Sequence, residues 1–124
     1  MVKFNQQLKK DINKFLDYVI IVEGKKDVQA LKLAGFEKVY TIHETGTPLK
    51  ERILQIINLI DKKDKVCILT DFDKRGKKLY LLLKTELQML GVRLDSTLRG
   101  ILLKSDISHI EGVTSFFKKV ENID

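Results

Sequence analysis

The stretch Val66-Cys67-Ile68-Leu69-Thr70-Asp71-Phe72-Asp73-Lys74-Arg75-Gly76 decides the fold. Its first five residues are a short apolar run, which predicts a strand buried on both faces. The run stops at Asp71. From about Arg75 to Leu90 the apolar positions change to helical spacing, with Leu79, Leu82, Leu83, Leu87 and Leu90 expected inward and Gly91 ending the helix. The same strand-acid-helix pattern occurs earlier. Tyr18-Val19-Ile20-Ile21-Val22 breaks at Glu23-Gly24, and a helix is predicted over about 25–34, capped by Gly35.

Between these units, Lys38-Val39-Tyr40-Thr41-Ile42 predicts another strand and His43-Glu44-Thr45-Gly46 a loop. Thr47 is expected as N-cap with Pro48 at the first helical position, ahead of the stripe Leu49, Ile53, Ile56, Ile57 and Ile60. The order β-α-β-α-β-α predicts an α/β domain with a parallel sheet and right-handed crossovers. Phe4, Leu8, Ile12, Phe15 and Leu16 predict an N-terminal amphipathic helix over about 3–17. Val92-Arg93-Leu94 suits a short fourth strand. A helical extension over about 96–121 follows, first with Leu98, Ile101 and Leu102, then with Val113, Phe116, Phe117 and Val120. No repeat or Pro/Gly/Ser-rich linker divides residues 1–124, so one domain with its core at about 18–95 is expected.

Composition sets bounds on function. Of the 124 residues, 44% are hydrophobic, which excludes a chain disordered by composition. No apolar run approaches the roughly 20 residues of a membrane span, and the N-terminus lacks the apolar core of a secretory signal. The lone Cys67 lies in an apolar run and excludes an internal disulfide, so a cytoplasmic protein with an inert thiol is expected. The net charge of +6, from 23 Lys plus Arg against 17 Asp plus Glu, suits a nucleic-acid partner. It equally suits a merely soluble Lys-rich surface.

Ligands of open α/β sheets bind beyond the carboxyl ends of the strands. Glu23, Asp71 and Asp73 lie there, and the usual strand order makes their two strands neighbours. Three carboxylates brought together repel one another, and a hard divalent cation offsets that repulsion. Mg²⁺ suits the role, with Mn²⁺ as a substitute, because it takes one or two carboxylates and completes its shell with water and phosphate oxygens. The alternative is structural: Asp71 and Asp73 cap the helix that follows, and Glu23 pairs with Lys25 or Lys26.

These residues resemble the Toprim family, shared by bacterial-type primases, type IA and type II topoisomerases, old-type nucleases, RecR repair proteins and the ribonuclease that matures 5S ribosomal RNA. The family's first motif is an apolar strand ending in Glu-Gly with basic and acidic residues after it. It is matched by Val19-Ile20-Ile21-Val22-Glu23-Gly24-Lys25-Lys26-Asp27. Its second motif, a strand ending in Asp-x-Asp with a glycine shortly after, is matched by Ile68-Leu69-Thr70-Asp71-Phe72-Asp73-Lys74-Arg75-Gly76. The resemblance covers roughly residues 18–95, and the chain is most like the small stand-alone archaeal members. It implies a Rossmann-like three-layer sandwich around about four parallel strands, with Glu23 as general acid or base and with Asp71 and Asp73 holding Mg²⁺. The topoisomerases usually carry a further acid two positions after Asp-x-Asp, where this sequence has Arg75. No topoisomerase tyrosine domain, zinc-binding segment or helicase-interacting segment is evident, so strand passage and primase activity are not expected.

Lys74, Arg75, Lys77 and Lys78 open the helix after the Asp pair, and Lys25 and Lys26 open the one after Glu23. Their expected role is phosphate binding; a solvated charged face is the alternative. His43 is a weaker phosphate-ligand candidate, Tyr40 and Phe72 are expected as packing residues, and His109 and Glu111 are expected to be structural. Two functions follow. One is Mg²⁺-dependent cleavage or transfer at phosphodiesters, with RNA favoured over DNA by resemblance to the ribonuclease. The other is a non-catalytic RNA- or DNA-binding module docked into a larger RNA-processing or translation assembly.

Overall fold

Four short strands form one parallel sheet in the order β2-β1-β3-β4. A computed structural model describes residues 6–43 and 45–105. In chain order its elements are α1 (Gln6–Asn13), β1 (Val19–Val22), α2 (Lys25–Leu33), β2 (Lys38–Thr41), α3 (Leu49–Leu59), β3 (Lys65–Ile68), α4 (Lys74–Met89), β4 (Arg93–Leu94) and α5 (Thr97–Lys104). The expected helical tail beyond residue 105, with His109 and Glu111, lies outside the described residues, as do residues 1–5 and Glu44.

All four β1 residues are buried because the sheet is covered on both faces. Side chains alternate along a strand. Ile20 and Val22 therefore enter one core, with Ile12 of α1, Leu31 of α2, and Leu98 and Leu102 of α5. Val19 and Ile21 enter the other, with Ile53 and Ile56 of α3, and Leu83 and Leu87 of α4. On β3 and just past it, Cys67 and Leu69 join the first core while Val66 and Ile68 join the second. The result is a three-layer sandwich. Each fully buried aliphatic side chain contributes roughly 1.5–3 kcal/mol, so the two cores hold together strands too short to stand alone.

Two local expectations need correction. Pro48, not Thr47, is the N-cap of α3: its φ of −60° and ψ of 150° are extended, and its carbonyl accepts from Arg52 N–H at 3.0 Å. The fixed proline φ suits that extended cap as well as it suits a first helical turn. On α4, Leu82 and Leu90 are 45% and 47% exposed rather than inward. The helix meets the sheet through Leu83 and Leu87, and Leu82 and Leu90 point off that line. No helix among the described residues is long and apolar enough to cross a membrane.

Candidate metal and nucleic-acid site at the strand ends

Parallel pairing brings β1 and β3 out of the sheet side by side. Ile21 lies opposite Ile68, and Leu69 N–H donates to the Ile21 carbonyl at 2.8 Å. The first turn beyond each strand therefore faces the other. Glu23 is 5% exposed at the end of β1. Its main-chain carbonyl accepts from the Thr41 hydroxyl at 2.8 Å and from His43 N–H at 3.1 Å, which ties it to the end of β2. Arg52 of α3 braces the same corner, donating from Nε to the Thr41 carbonyl at 2.8 Å.

The Glu23 carboxylate crosses to the neighbouring turn. Oε2 accepts the Asp71 main-chain N–H at 2.8 Å, and Oε1 meets the Arg75 guanidinium at 3.3 Å. Its cationic partner is thus Arg75, not Lys25 or Lys26. The Arg75 side chain is 83% exposed, so this pair is worth at most about 1 kcal/mol. The shorter, part-buried main-chain contact is the firmer one.

Asp73 turns the other way. Its Oδ1 accepts Gly76 N–H at 2.7 Å, which makes Asp73 the N-cap of α4. The Thr70 hydroxyl closes the turn by donating to the Gly76 carbonyl at 2.7 Å. Gly76 is required here on steric grounds, because a Cβ at this position would collide with the Asp71 carbonyl. Glu23 and Asp71 therefore meet, with Asp71 half-buried, while Asp73 stands exposed at the start of α4. Among the described residues no group of three or more His, Cys, Asp or Glu side chains is set to hold a metal ion. The three acids share one edge of the sheet, but they do not converge in the single cluster expected, because two carboxylates are turned to main-chain donors.

Arg99 is the residue that sequence reading missed. It is 8% exposed on α5 and donates to the carbonyls of Thr70 at 2.6 Å, Ile68 at 3.4 Å and Asp71 at 3.5 Å. Its guanidinium lies against the rings of Tyr80 and Phe72, 4.3 and 4.7 Å from their centroids. Burial presses its pKa below the usual guanidinium value, and Tyr80, Cys67, Glu23 and Asp71 push the other way. Cys67 is fully buried, and burial drives its thiol up to about 12, well out of the reactive range.

Lys25, Lys26, Lys74, Arg75, Lys77 and Lys78 are all exposed. Of the four on α4, Lys74 and Arg75 sit in its first turn, where the helix dipole disfavours cations. His43 is exposed at the β2 end, Phe72 is buried, and Tyr40 is half-buried against the α3/α4 core.

The Toprim domain family matches residues 18–111, a span that contains both strand exits and all three acids. The chain belongs to the Toprim family. The UPF0292 protein of Methanocaldococcus jannaschii is 36% identical over 104 residues, covering 81% of this chain and 78% of its own length. Ribonuclease M5 of Mesoplasma florum is 41% identical over 61 residues, 49% of this chain, and the match spans only 35% of that protein. Among solved structures, a protein from Aquifex aeolicus superposes with a TM-score of 0.69 at 29% identity, over 85% of this chain and 94% of that one. In this Toprim chain the position after Asp-x-Asp where topoisomerases usually carry an acid holds Arg75, which meets Glu23 instead.

Proposed function

We propose that this Toprim protein processes nucleic acid in the cytoplasm, cleaving or transferring at phosphodiesters with Mg²⁺ or Mn²⁺, and that RNA is its preferred substrate. One observation carries the proposal: the buried Glu23 carboxylate is anchored on the Asp71 turn and pairs with the exposed Arg75, at the carboxyl ends of two adjacent parallel strands. The match to part of ribonuclease M5 supports an RNA substrate.

The residues fit a hard cation. Asp71 and Asp73 offer oxygen donors only, the Asp73 cap takes one of its two carboxylate oxygens, and Mg²⁺ needs just one or two carboxylates. Asp71 and Asp73 would hold the ion, with Glu23 beside them, and the bound ion supplies charge neutralisation at a phosphate. The protein's own groups do the rest. Lys25, Lys26, Lys74, Arg75, Lys77 and Lys78 take up phosphates, which relieves Lys74 and Arg75 at the unfavourable end of the α4 dipole. Arg75 turns from Glu23 to a phosphate, which frees Oε1 to move a proton as general acid or base.

A second reading has its own support. Both Glu23 oxygens and one Asp73 oxygen are already engaged within the protein. A site so occupied suits a module that binds RNA or DNA and docks into a larger RNA-processing or translation assembly, without chemistry.

Labelled RNA and DNA incubated with Mg²⁺ or Mn²⁺ separate the two. Metal-dependent cleavage by the wild type, lost in Glu23→Gln, Asp71→Asn and Asp73→Asn, is the expected result. Binding without cleavage by the wild type, unchanged in all three variants, selects the module. Replacing Lys74, Arg75, Lys77 and Lys78 with Ala is expected to weaken binding and to flatten its dependence on salt.

A further inference from the structure

We infer that Arg99 is the positioning residue of this site: its buried guanidinium stands in for a missing strand beside the end of β3 and so fixes the turn that presents Asp71 to Glu23. The sheet explains the need. β4 has only two residues, which pair with Lys65 and Val66. Val66 then gives its carbonyl to Asp95 N–H at 2.9 Å, the last main-chain partner on that side among the described residues. Carbonyls along a strand alternate in direction, so those of Ile68 and Thr70 point the same way as that of Val66. They lie past the end of β4, and buried carbonyls left without donors are costly.

Arg99 fills the gap. Its Nη1 donates to the carbonyls of Thr70 at 2.6 Å and Ile68 at 3.4 Å, and Nη2 reaches Asp71 at 3.5 Å. A planar guanidinium can serve several carbonyls at once, where a lysine amine is a single point of charge. Tyr80 and Phe72 press on the group from α4 and from the turn itself. Phe72 lies between the two aspartates, so the cation grips the Asp71–Asp73 segment through both main chain and ring. Burying a charge with no carboxylate in ion-pair contact among the described residues is costly. A neutral core residue would fill the space at lower cost but would leave the carbonyls unserved. The consequence reaches the site directly, because the turn held by Arg99 carries the Asp71 N–H that the Glu23 carboxylate accepts. The effect on metal rests on the function proposed above; the effect on the turn does not.

The test uses the full chain without metal. Residue-resolved amide hydrogen exchange is followed in wild type, Arg99→Lys, Arg99→Met and a control, Leu87→Ala, which opens the opposite core. Lysine keeps the charge and loses the fork, so it reports even where the methionine variant does not fold. Exchange of the Asp71 amide is expected to rise about tenfold more in Arg99→Lys than in the control once both are corrected for global stability. An Asp71 amide no less protected in Arg99→Lys than in the control, after that correction, overturns the inference whatever happens with metal. A Mn²⁺ titration forms the second arm, where Arg99→Lys is expected to bind about ten- to a hundredfold more weakly than wild type. A wild-type protein that takes up no Mn²⁺ removes the metal proposal alone, and the exchange result still decides the role of Arg99.

Discussion

Strands β1 and β3 leave the sheet side by side, each through an acid and a glycine into a helix, yet their turns are built on opposite principles. At β1 the acid reaches away: Glu23 binds the other turn, and α2 is capped from within by Asp27, whose Oδ2 accepts Gly24 N–H at 3.1 Å. Gly24 is open: among the described residues, no atom beyond its chain neighbours lies within 4 Å of where a Cβ would stand. At β3 the turn's own side chains bond locally: Asp73 caps its own helix, Thr70 ties strand to helix, and Gly76 packs against the Asp71 carbonyl. One turn is free to serve a partner, and the other is a rigid platform. Two similar-looking motifs thus contain glycine for different reasons.

The largest expected effect comes from Gly76→Ala. Gly76 lies inside α4, where intrinsic helix preference alone predicts that alanine stabilises by about 1 kcal/mol. The close approach to Asp71 predicts the opposite sign, a loss of at least about 2 kcal/mol, because backbone rather than a flexible side chain would have to move. Urea denaturation decides between the two signs, and a stabilised variant would break the comparison.

How much of this was legible beforehand follows from the physics of each element. The strands were readable because a strand buried on both faces must be a continuous apolar run, as Val19–Val22 is. The acids at the strand ends were readable because they interrupt such runs. The inward face of α4 was not, since Leu79, Leu81, Leu82 and Leu83 place leucine on nearly every side and periodicity cannot choose among them. The direction of the Asp73 carboxylate was open as well: Asp-x-Asp before a helix suits a cap and a metal ligand equally. Arg99 was missed because a lone arginine on a short helix reads as a solvent-facing charge. A signal was present, since position 99 is three residues before Leu102 and so shares its inward face. What sequence could not supply was the end of β4, which leaves carbonyls for a guanidinium to serve.

Next in size is Asp73→Ala, which removes the α4 cap and is expected to cost about 1 kcal/mol, while Asp73→Asn keeps the cap and costs only a few tenths. Metal separates the two roles of this carboxylate. If Asp73 also holds the ion, Asp73→Asn loses Mn²⁺ binding in a titration at nearly full stability; if it is only a cap, Mn²⁺ binding survives.

A smaller, pH-dependent effect belongs to β4, the third strand that ends on an acid. The Thr97 hydroxyl and N–H hold the Asp95 carboxyl below its ordinary pKa, as does the Tyr18 hydroxyl. A folded-state pKa below the unfolded value of about 3.9 gives stability that is present above that pH and lost as pH falls through the folded value. Asp95→Asn is therefore expected to lower stability at pH 7 by less than about 1 kcal/mol given its partial exposure, read as a lower thermal midpoint. The gap should close towards pH 2. A gap that persists in acid would mean that Asp95 acts through packing rather than charge.

The smallest expected effect is the sharpest test of the contrast between the two turns. Gly24 sits at φ −143° and ψ 179°, extended backbone that any residue adopts. Alanine there is a poorer N-cap than glycine by about 0.5–1 kcal/mol, and it stiffens the unfolded chain by about 0.4–1 kcal/mol in the stabilising direction. The two nearly cancel, so Gly24→Ala should leave stability within about 0.5 kcal/mol of wild type. Nucleic-acid binding is then the informative measurement. The space beyond Gly24 lies at the same strand ends as Glu23, and a methyl group there meets no neighbour among the described residues. Weakened binding by a fully stable Gly24→Ala would mean that a ligand comes close to this backbone. Unchanged binding would place the ligand on the α4 side alone, with the open turn at β1 serving only to carry Glu23.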